Sequence, residues 1–225
     1  MNRNHRLLGA VVVSAAALSV GTAAIHTAPA DAATYAVHGI DVSANQLTDT
    51  ATINWSTVVK HENFAFIKAT EGDNYTSKYL AKGWPQMKAV GIPRAPYHFM
   101  LSSDAGTPLQ QAQYFIANVK AIGYTGKHAG ELPPALDFEW DERTKKCPTG
   151  LTNAGIKQFV DAVRSAFGRN PIIYTNNNFL KGCGFDSRVF AANTFLWQSD
   201  YQHSTPPISP GWSTVSWSRR TDGRT

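Results

Sequence analysis

Apolar runs at strand spacing alternate with apolar runs at helix spacing about five times along this chain, at intervals of roughly 25–40 residues, before helices thin out. That alternation predicts parallel β/α organisation. Strands are expected over 37–43, 64–69 (running on into Thr70-Glu71-Gly72), 91–99, 132–140, 171–175 and 195–201, with a last one over 212–217. Helices are expected over 54–60, with Trp55, Val58 and Val59 on one face, and over 79–90, 109–122 and 152–167. Thr152 is the expected N-cap of the last of these, and Gly168-Arg169-Asn170 ends it.

Two architectures fit such an alternation, a doubly wound open sheet and a barrel. No Gly-rich loop follows the first strand, so a nucleotide-binding reading has no support. Polar and aromatic residues gather at the C-terminal ends of the expected strands: Asp41, Glu71, Tyr97-His98, Asp137 and Glu139, Tyr174 and Trp197. A barrel collects those ends at one mouth, whereas an open sheet spreads them along an edge, so a barrel is favoured.

The chemistry concentrates in Leu132 to Trp140, Leu-Pro-Pro-Ala-Leu-Asp-Phe-Glu-Trp. Alternation puts Leu136, Phe138 and Trp140 on one face of a short strand and Asp137 with Glu139 on the other. Their β-carbons would then lie roughly 6.5–7 Å apart. Like charges that close, in a partly dry site, push at least one pKa upward. A retained proton beside an ionised carboxylate is what general acid catalysis needs. The alternative is a strand end carrying two solvated acids.

Residues 1–32 read as a secretory leader and residues 33–225 as one domain. Arg3, His5 and Arg6 precede an apolar Ala/Val-rich run from Leu7 to Val20, and Ala30-Asp31-Ala32 supplies a small-x-small cleavage pattern. The expected product is secreted and extracellular, with no membrane association after the leader is removed. At 193 residues it is short for a full eight-unit barrel, which takes about 250. The formal charge of +5 falls by one with the leader, a mild basicity that suits an anionic bacterial wall. No Lys/Arg run marks a nucleic-acid footprint. Cys147 and Cys183 match no zinc spacing and are expected to form one disulfide, the alternative being two free thiols. The seven histidines show no metal-binding spacing, so neither a metal nor another cofactor is expected. His98 reads as a core or supporting residue rather than a catalyst.

An ordered set of short motifs points further. His-Gly-Ile-Asp-Val-Ser (38–43), Phe-Ile-Lys-Ala-Thr-Glu-Gly (66–72), Pro-Tyr-His-Phe (96–99), Leu-Asp-Phe-Glu (136–139), Ile-Tyr-Thr (173–175) and Leu-Trp (196–197) follow one another. Over residues 37 to 214 the chain resembles the Chalaropsis-type lysozymes, glycoside hydrolase family 25. The resemblance implies an α/β fold, a modified (β/α)5β3 TIM-like barrel of five β/α units followed by a small antiparallel set. It implies a secreted muramidase that cuts the β-1,4 bond between N-acetylmuramic acid and N-acetylglucosamine in bacterial peptidoglycan, and a monomer is expected. Carried over residue by residue, Glu139 is the general acid. Asp137 stabilises positive charge or orients the substrate's acetamido group, and Asp41 completes the acidic floor. The family's pattern fades after Thr214. Ser218-Arg219-Arg220 stands where a Trp-Gln-Tyr strand would fall, and a further Asp-bearing strand has no counterpart. The barrel is therefore expected to be incomplete at its C-terminal strands, with stability or activity lowered.

Other readings stay open at this point. Asp41 can simply end a strand, and Glu71 can order the loop at Gly72 rather than touch substrate. Tyr97, Tyr174 and Trp197 are either core aromatics or platforms that stack on pyranose faces. A chitinase-like glycosidase also uses an Asp-x-Glu strand end, although its fuller acidic run is absent here. A non-catalytic wall-binding protein is the third reading.

Overall fold

The computed structural model describes residues 37–44, 53–141, 143–200 and 207–214, and the backbone of 217–219. The expected leader lies outside the described residues, as do 220–225, where the incomplete closure was expected.

Seven strands form a single parallel sheet in the order β1 (Gly39–Val42), β2 (Phe64–Glu71), β4 (Arg94–Phe99), β5 (Ala135–Asp137), β6 (Ile172–Thr175), β7 (Phe195–Ser199) and β8 (Trp217–Arg219). A two-residue strand, β3 (Tyr75–Thr76), folds back antiparallel on β2 across Gly72, whose φ of +58° suits glycine. Between the strands lie α1 (Trp55–Val58), α2 (Leu80–Ala89), α3 (Pro108–Ala121), α4 (Asn153–Phe167) and α5 (Asn177–Gly182). Among the described residues no helix is long and apolar enough to cross a membrane.

Alternation along the strands sorts their side chains into two layers. Ile67, Ala69, Leu136 and Ile173 join the buried faces of the helices in one apolar cluster, with Trp55, Trp84, Phe115, Phe159 and Phe179. Phe66, Ala95, Tyr97, Ala135, Ile172, Tyr174 and Trp197 form a second cluster built from strand residues alone. All the described helices thus cover one face, unlike the doubly wound arrangement, which covers both. The other face closes on itself. Phe66 of β2 and Trp197 of β7 lie four places apart in the sheet, roughly 19 Å if it were flat. Their ring centroids are 4.6 Å apart, so the sheet curls into a half-barrel around that interior.

The helices start where local chemistry tells them to. Thr107 and Gln110 form a reciprocal capping box with Pro108 in the first turn, which sets the start of α3 one residue before the expected one. The Thr152 hydroxyl accepts the Gly155 N–H at 3.0 Å, and Gly168, left-handed at φ 65°, ends α4 as expected. Helix α1 is shorter than the periodicity suggested. It stops at Val58, and Val59 becomes its half-exposed cap rather than part of the apolar face.

Other expectations are corrected. The acidic strand covers only Ala135–Asp137, because Pro133 and Pro134 cannot donate to a ladder and the pairing residues run out at Asp137. The stretch from Trp212 to Thr214 is irregular. Trp212 instead packs on Phe190 and donates its indole N–H to Thr194 at 3.0 Å. The last strand begins at Trp217 and runs parallel to β7, not antiparallel. The 200–216 connection is long enough for the return crossover that a parallel pair requires, a dozen or more residues.

Cys147, in the loop after β5, and Cys183, the C-cap of α5, are disulfide-bonded. The bridge spans 36 residues, and in the chain-entropy model closing such a loop stabilises by about 3–4 kcal/mol. Replacing both cysteines by serine is expected to lower the unfolding free energy by that order and to raise the urea m-value somewhat, because the released unfolded chain exposes more surface. A drop below about 1 kcal/mol in denaturant titrations would contradict it.

Candidate active site

The parallel register brings one residue from each of five strands to the same end of the curled sheet. Asp41 of β1, Tyr97 of β4, Asp137 of β5, Tyr174 of β6 and Trp197 of β7, with Ala135 beneath, line a narrow pocket on the inner face. The ladder fixes their heights. Asp137 pairs with Phe99 on one side and Tyr174 on the other, and Tyr174 pairs with Trp197. The Tyr174 and Trp197 rings meet edge to face at 5.0 Å. Both rings and Tyr97 are nearly buried, and the two aspartates are half-buried. Two carboxylates against an aromatic wall can hold developing positive charge and offer apolar area to a sugar ring.

Glu139 lies two residues beyond Asp137, past the last paired position, and is half-buried. It is not among the side chains lining the pocket. Its backbone is held from both sides. The Phe138 N–H donates to the Tyr174 carbonyl at 2.9 Å, and the Phe138 ring packs on Phe179 and Phe185 with centroids at 4.9 and 4.7 Å. Trp140 packs on Phe179 at 5.4 Å. The expected alternation therefore holds on the helix side, where Leu136, Phe138 and Trp140 meet the outer cluster, although the strand itself stops short.

Glu71 stands apart from the pocket, in a neighbouring cavity of about 440 Å3 that it lines with Ser43, Lys68, Asn74, Tyr75 and Arg143. An irregularity in β2 puts it there. Lys68 pairs with Tyr97, but the next pairing is Thr70 with His98, leaving Ala69 as an extra residue. Strict alternation would set Lys68 and Glu71 on opposite faces. Lys68 already faces inward with Phe66, and the bulge turns Glu71 to the same side, where the ammonium and carboxylate meet at 2.8 Å. Arg143, from the loop after β5, reaches the other Glu71 oxygen at 3.0 Å. Lys68 and Arg143 were missed by sequence reasoning. For Lys68 a signal existed, a charge inside an otherwise apolar strand. For Arg143, in a polar loop, there was none.

The same bulge points Thr70 outward to His98, a fully buried residue between the sheet and α3 and α4. The Gln111 amide NH2 donates to the Leu101 and Gly106 carbonyls, so its oxygen faces His98 and accepts from Nε2 at 3.1 Å. Nδ1 then accepts the Thr70 hydroxyl at 2.8 Å. A neutral imidazole satisfies every partner. Burial pushes its pKa down to about 3, opposed by the Gln111 hydrogen bond and aided by the nearby Lys68 charge. His98 supports the rim and does not reach the pocket, as expected.

Comparison with known proteins decides what the arrangement belongs to. The family profile described as "Glycosyl hydrolases family 25" matches residues 40–220. The chain belongs to glycosyl hydrolase family 25. Among curated members, Lysozyme M1 of Streptomyces globisporus is 31% identical over 87% of this chain, which spans 65% of that relative's length. An N,O-diacetylmuramidase of Chalaropsis sp is 31% identical over 78% of this chain and 82% of its own. The solved bacterial lysozyme of Streptomyces coelicolor superposes with a TM-score of 0.72 at 30% identity, covering 84% of this chain and 85% of that one. A family 25 lysozyme from Aspergillus fumigatus superposes at 0.71 and 28% identity, covering 84% and 88%. The half-barrel with its outer helices is thus the fold of these family 25 lysozymes.

The buried histidine of this family 25 chain makes its stability sensitive to acid. Between pH 6.5 and about 3 the unfolded chain binds a proton at this position that the folded chain refuses. The contribution is full above pH 6.5 and is lost as pH falls toward 3, with a slope of at most about 1.4 kcal/mol per pH unit. Denaturant unfolding of wild type and His98→Gln across that range is expected to show a shallower slope in the variant. Parallel curves would contradict the assignment.

Proposed function

We propose that this chain is a secreted muramidase that hydrolyses the β-1,4 bond between N-acetylmuramic acid and N-acetylglucosamine in bacterial peptidoglycan. The single observation that carries the reading is the convergence of Asp41, Asp137, Tyr97, Tyr174 and Trp197 on one pocket, in a family 25 chain. The names of the Streptomyces and Chalaropsis relatives point the same way.

A glycosidic oxygen is a poor leaving group, and its departure leaves an oxocarbenium-like centre. One proton donor and one nearby anion address both problems. In this reading Glu139, at the pocket's edge by its place after Asp137, protonates the leaving oxygen. Asp137 opposes the developing positive charge, or orients the acetamido group where that group attacks. Asp41 completes the acidic floor. Tyr97, Tyr174 and Trp197 hold the sugar, and Glu71 acts from the adjoining cavity. The β1-α1, β2-α2, β4-α3, β5-α4 and β6-α5 succession, followed by β7 and β8 with no helix between them among the described residues, supports five β/α units and a short closing set. Export through the leader of residues 1–32 and action as a monomer on wall peptidoglycan complete the reading.

Glu139→Gln removes the proton while keeping the shape. Reducing-end release from peptidoglycan is expected to fall by at least about 100-fold, within the range for loss of a general acid. The melting temperature should stay unchanged. Retained turnover in that variant would refute Glu139 as the acid. Wild-type protein that binds wall sacculi without releasing product would favour a non-catalytic binder, and cleavage of chitin oligomers in preference to peptidoglycan would favour a chitinase-like enzyme.

A further inference from the structure

The cavity beside the pocket differs from it in charge. Among the described residues, two carboxylates and no cation line the pocket, whereas Lys68, Arg143 and one carboxylate, that of Glu71, line the cavity. The two compartments adjoin. Lys68 pairs with Tyr97 across the β2–β4 ladder, and Ser43, just past the end of β1, follows Asp41 by two residues. A substrate seated in the pocket therefore presents any nearby branch to the cavity.

We propose that this cavity receives a carboxylate from the peptide branch of the wall polymer, and that Arg143 is the specificity-determining residue that holds it. The inference rests on the muramidase reading. The lactyl ether of a muramoyl residue carries a peptide with free carboxylates, whereas a plain N-acetylglucosamine chain carries no acid. A cationic compartment next to the sugar pocket separates the two.

The arginine is suited to the task. Its side chain is 68% exposed, and it holds Glu71 at 3.0 Å and Asp141 only at 3.8 Å. An exposed pair of this kind is weak and exchanges cheaply. The guanidinium has five donors, enough to keep Glu71 and take a second carboxylate in a bidentate fork. Its loop is fixed in advance. Asp141 accepts the Arg143 and Thr144 N–H groups at 2.9 and 2.8 Å, the Asp141 N–H reaches the Lys146 carbonyl at 3.0 Å, and Cys147 is bridged to Cys183. Lys68, only 4% exposed and held on Glu71, adds a fixed positive charge behind. Tyr75, 37% exposed on the β2–β3 hairpin, offers apolar area to the branch.

The test compares soluble peptidoglycan with the same glycan stripped of its peptides by an amidase, the lactyl carboxylate that this hydrolysis frees being capped as its methylamide. Reducing-end kinetics give kcat/KM on both for wild type, Arg143→Gln and Arg143→Lys. The ratio of peptide-bearing to stripped kcat/KM is expected to fall roughly tenfold in Arg143→Gln, chiefly through KM, as the loss of one charge-assisted contact implies. Arg143→Lys should recover part of the loss, and the difference should shrink at high salt. An unchanged ratio overturns the proposal, whether both rates fall together or neither falls. Wild-type cleavage of the stripped glycan upholds the muramidase reading whichever way the ratio moves. Cleavage of neither glycan rejects that reading and this inference with it.

Discussion

The packing of Phe66 against Trp197, across the inside of a parallel sheet, is the contact on which the rest of the structure depends. It joins the second and the seventh strands over an interval that a flat sheet would hold far apart. Curling the sheet in this way leaves no room for helices on the inner face, and all the described ones cover the outer face. It also turns the C-terminal ends of five strands toward a common centre. The pocket with its two aspartates is a consequence of that curvature. No single loop builds it.

The second determinant is one extra residue. Ala69 interrupts the β2–β4 register, so Thr70 faces His98 on the helix side while Lys68 and Glu71 share the inner side. The carboxylate partner of the buried Lys68 and a neutral histidine network are both set by that bulge. It divides the mouth into two compartments of different charge, an acidic pocket and a larger cavity carrying Lys68 and Arg143. The disulfide serves the same rim, since it pins the loop that delivers Arg143 to the end of α5.

Much of this was legible in the chain. Parallel organisation followed from the alternation of strand and helix patterns. Asp41, Tyr97, Asp137, Tyr174 and Trp197 announced themselves as polar or aromatic residues ending apolar runs. What escaped has physical reasons. Helix α5 spans six residues and β3 two, too few for a period to appear. Register is a property of two strands together, so the bulge that turns Glu71 inward leaves no mark on β2 alone. Arg143 acts from a loop, where nothing in the local pattern tells a reaching side chain from a solvated one. The short extent of β5 does have a signal, since Pro133 and Pro134 precede it, although alternation alone carries the strand pattern on through Trp140.

The central claim is that the curled sheet brings carboxylates together to break a particular glycosidic bond. Its most direct test is digestion of purified peptidoglycan, followed by borohydride reduction and mass analysis of the fragments. The account predicts fragments whose reduced ends are muramitol. Reduced ends of glucosaminitol, or walls left uncut by folded protein, would contradict it.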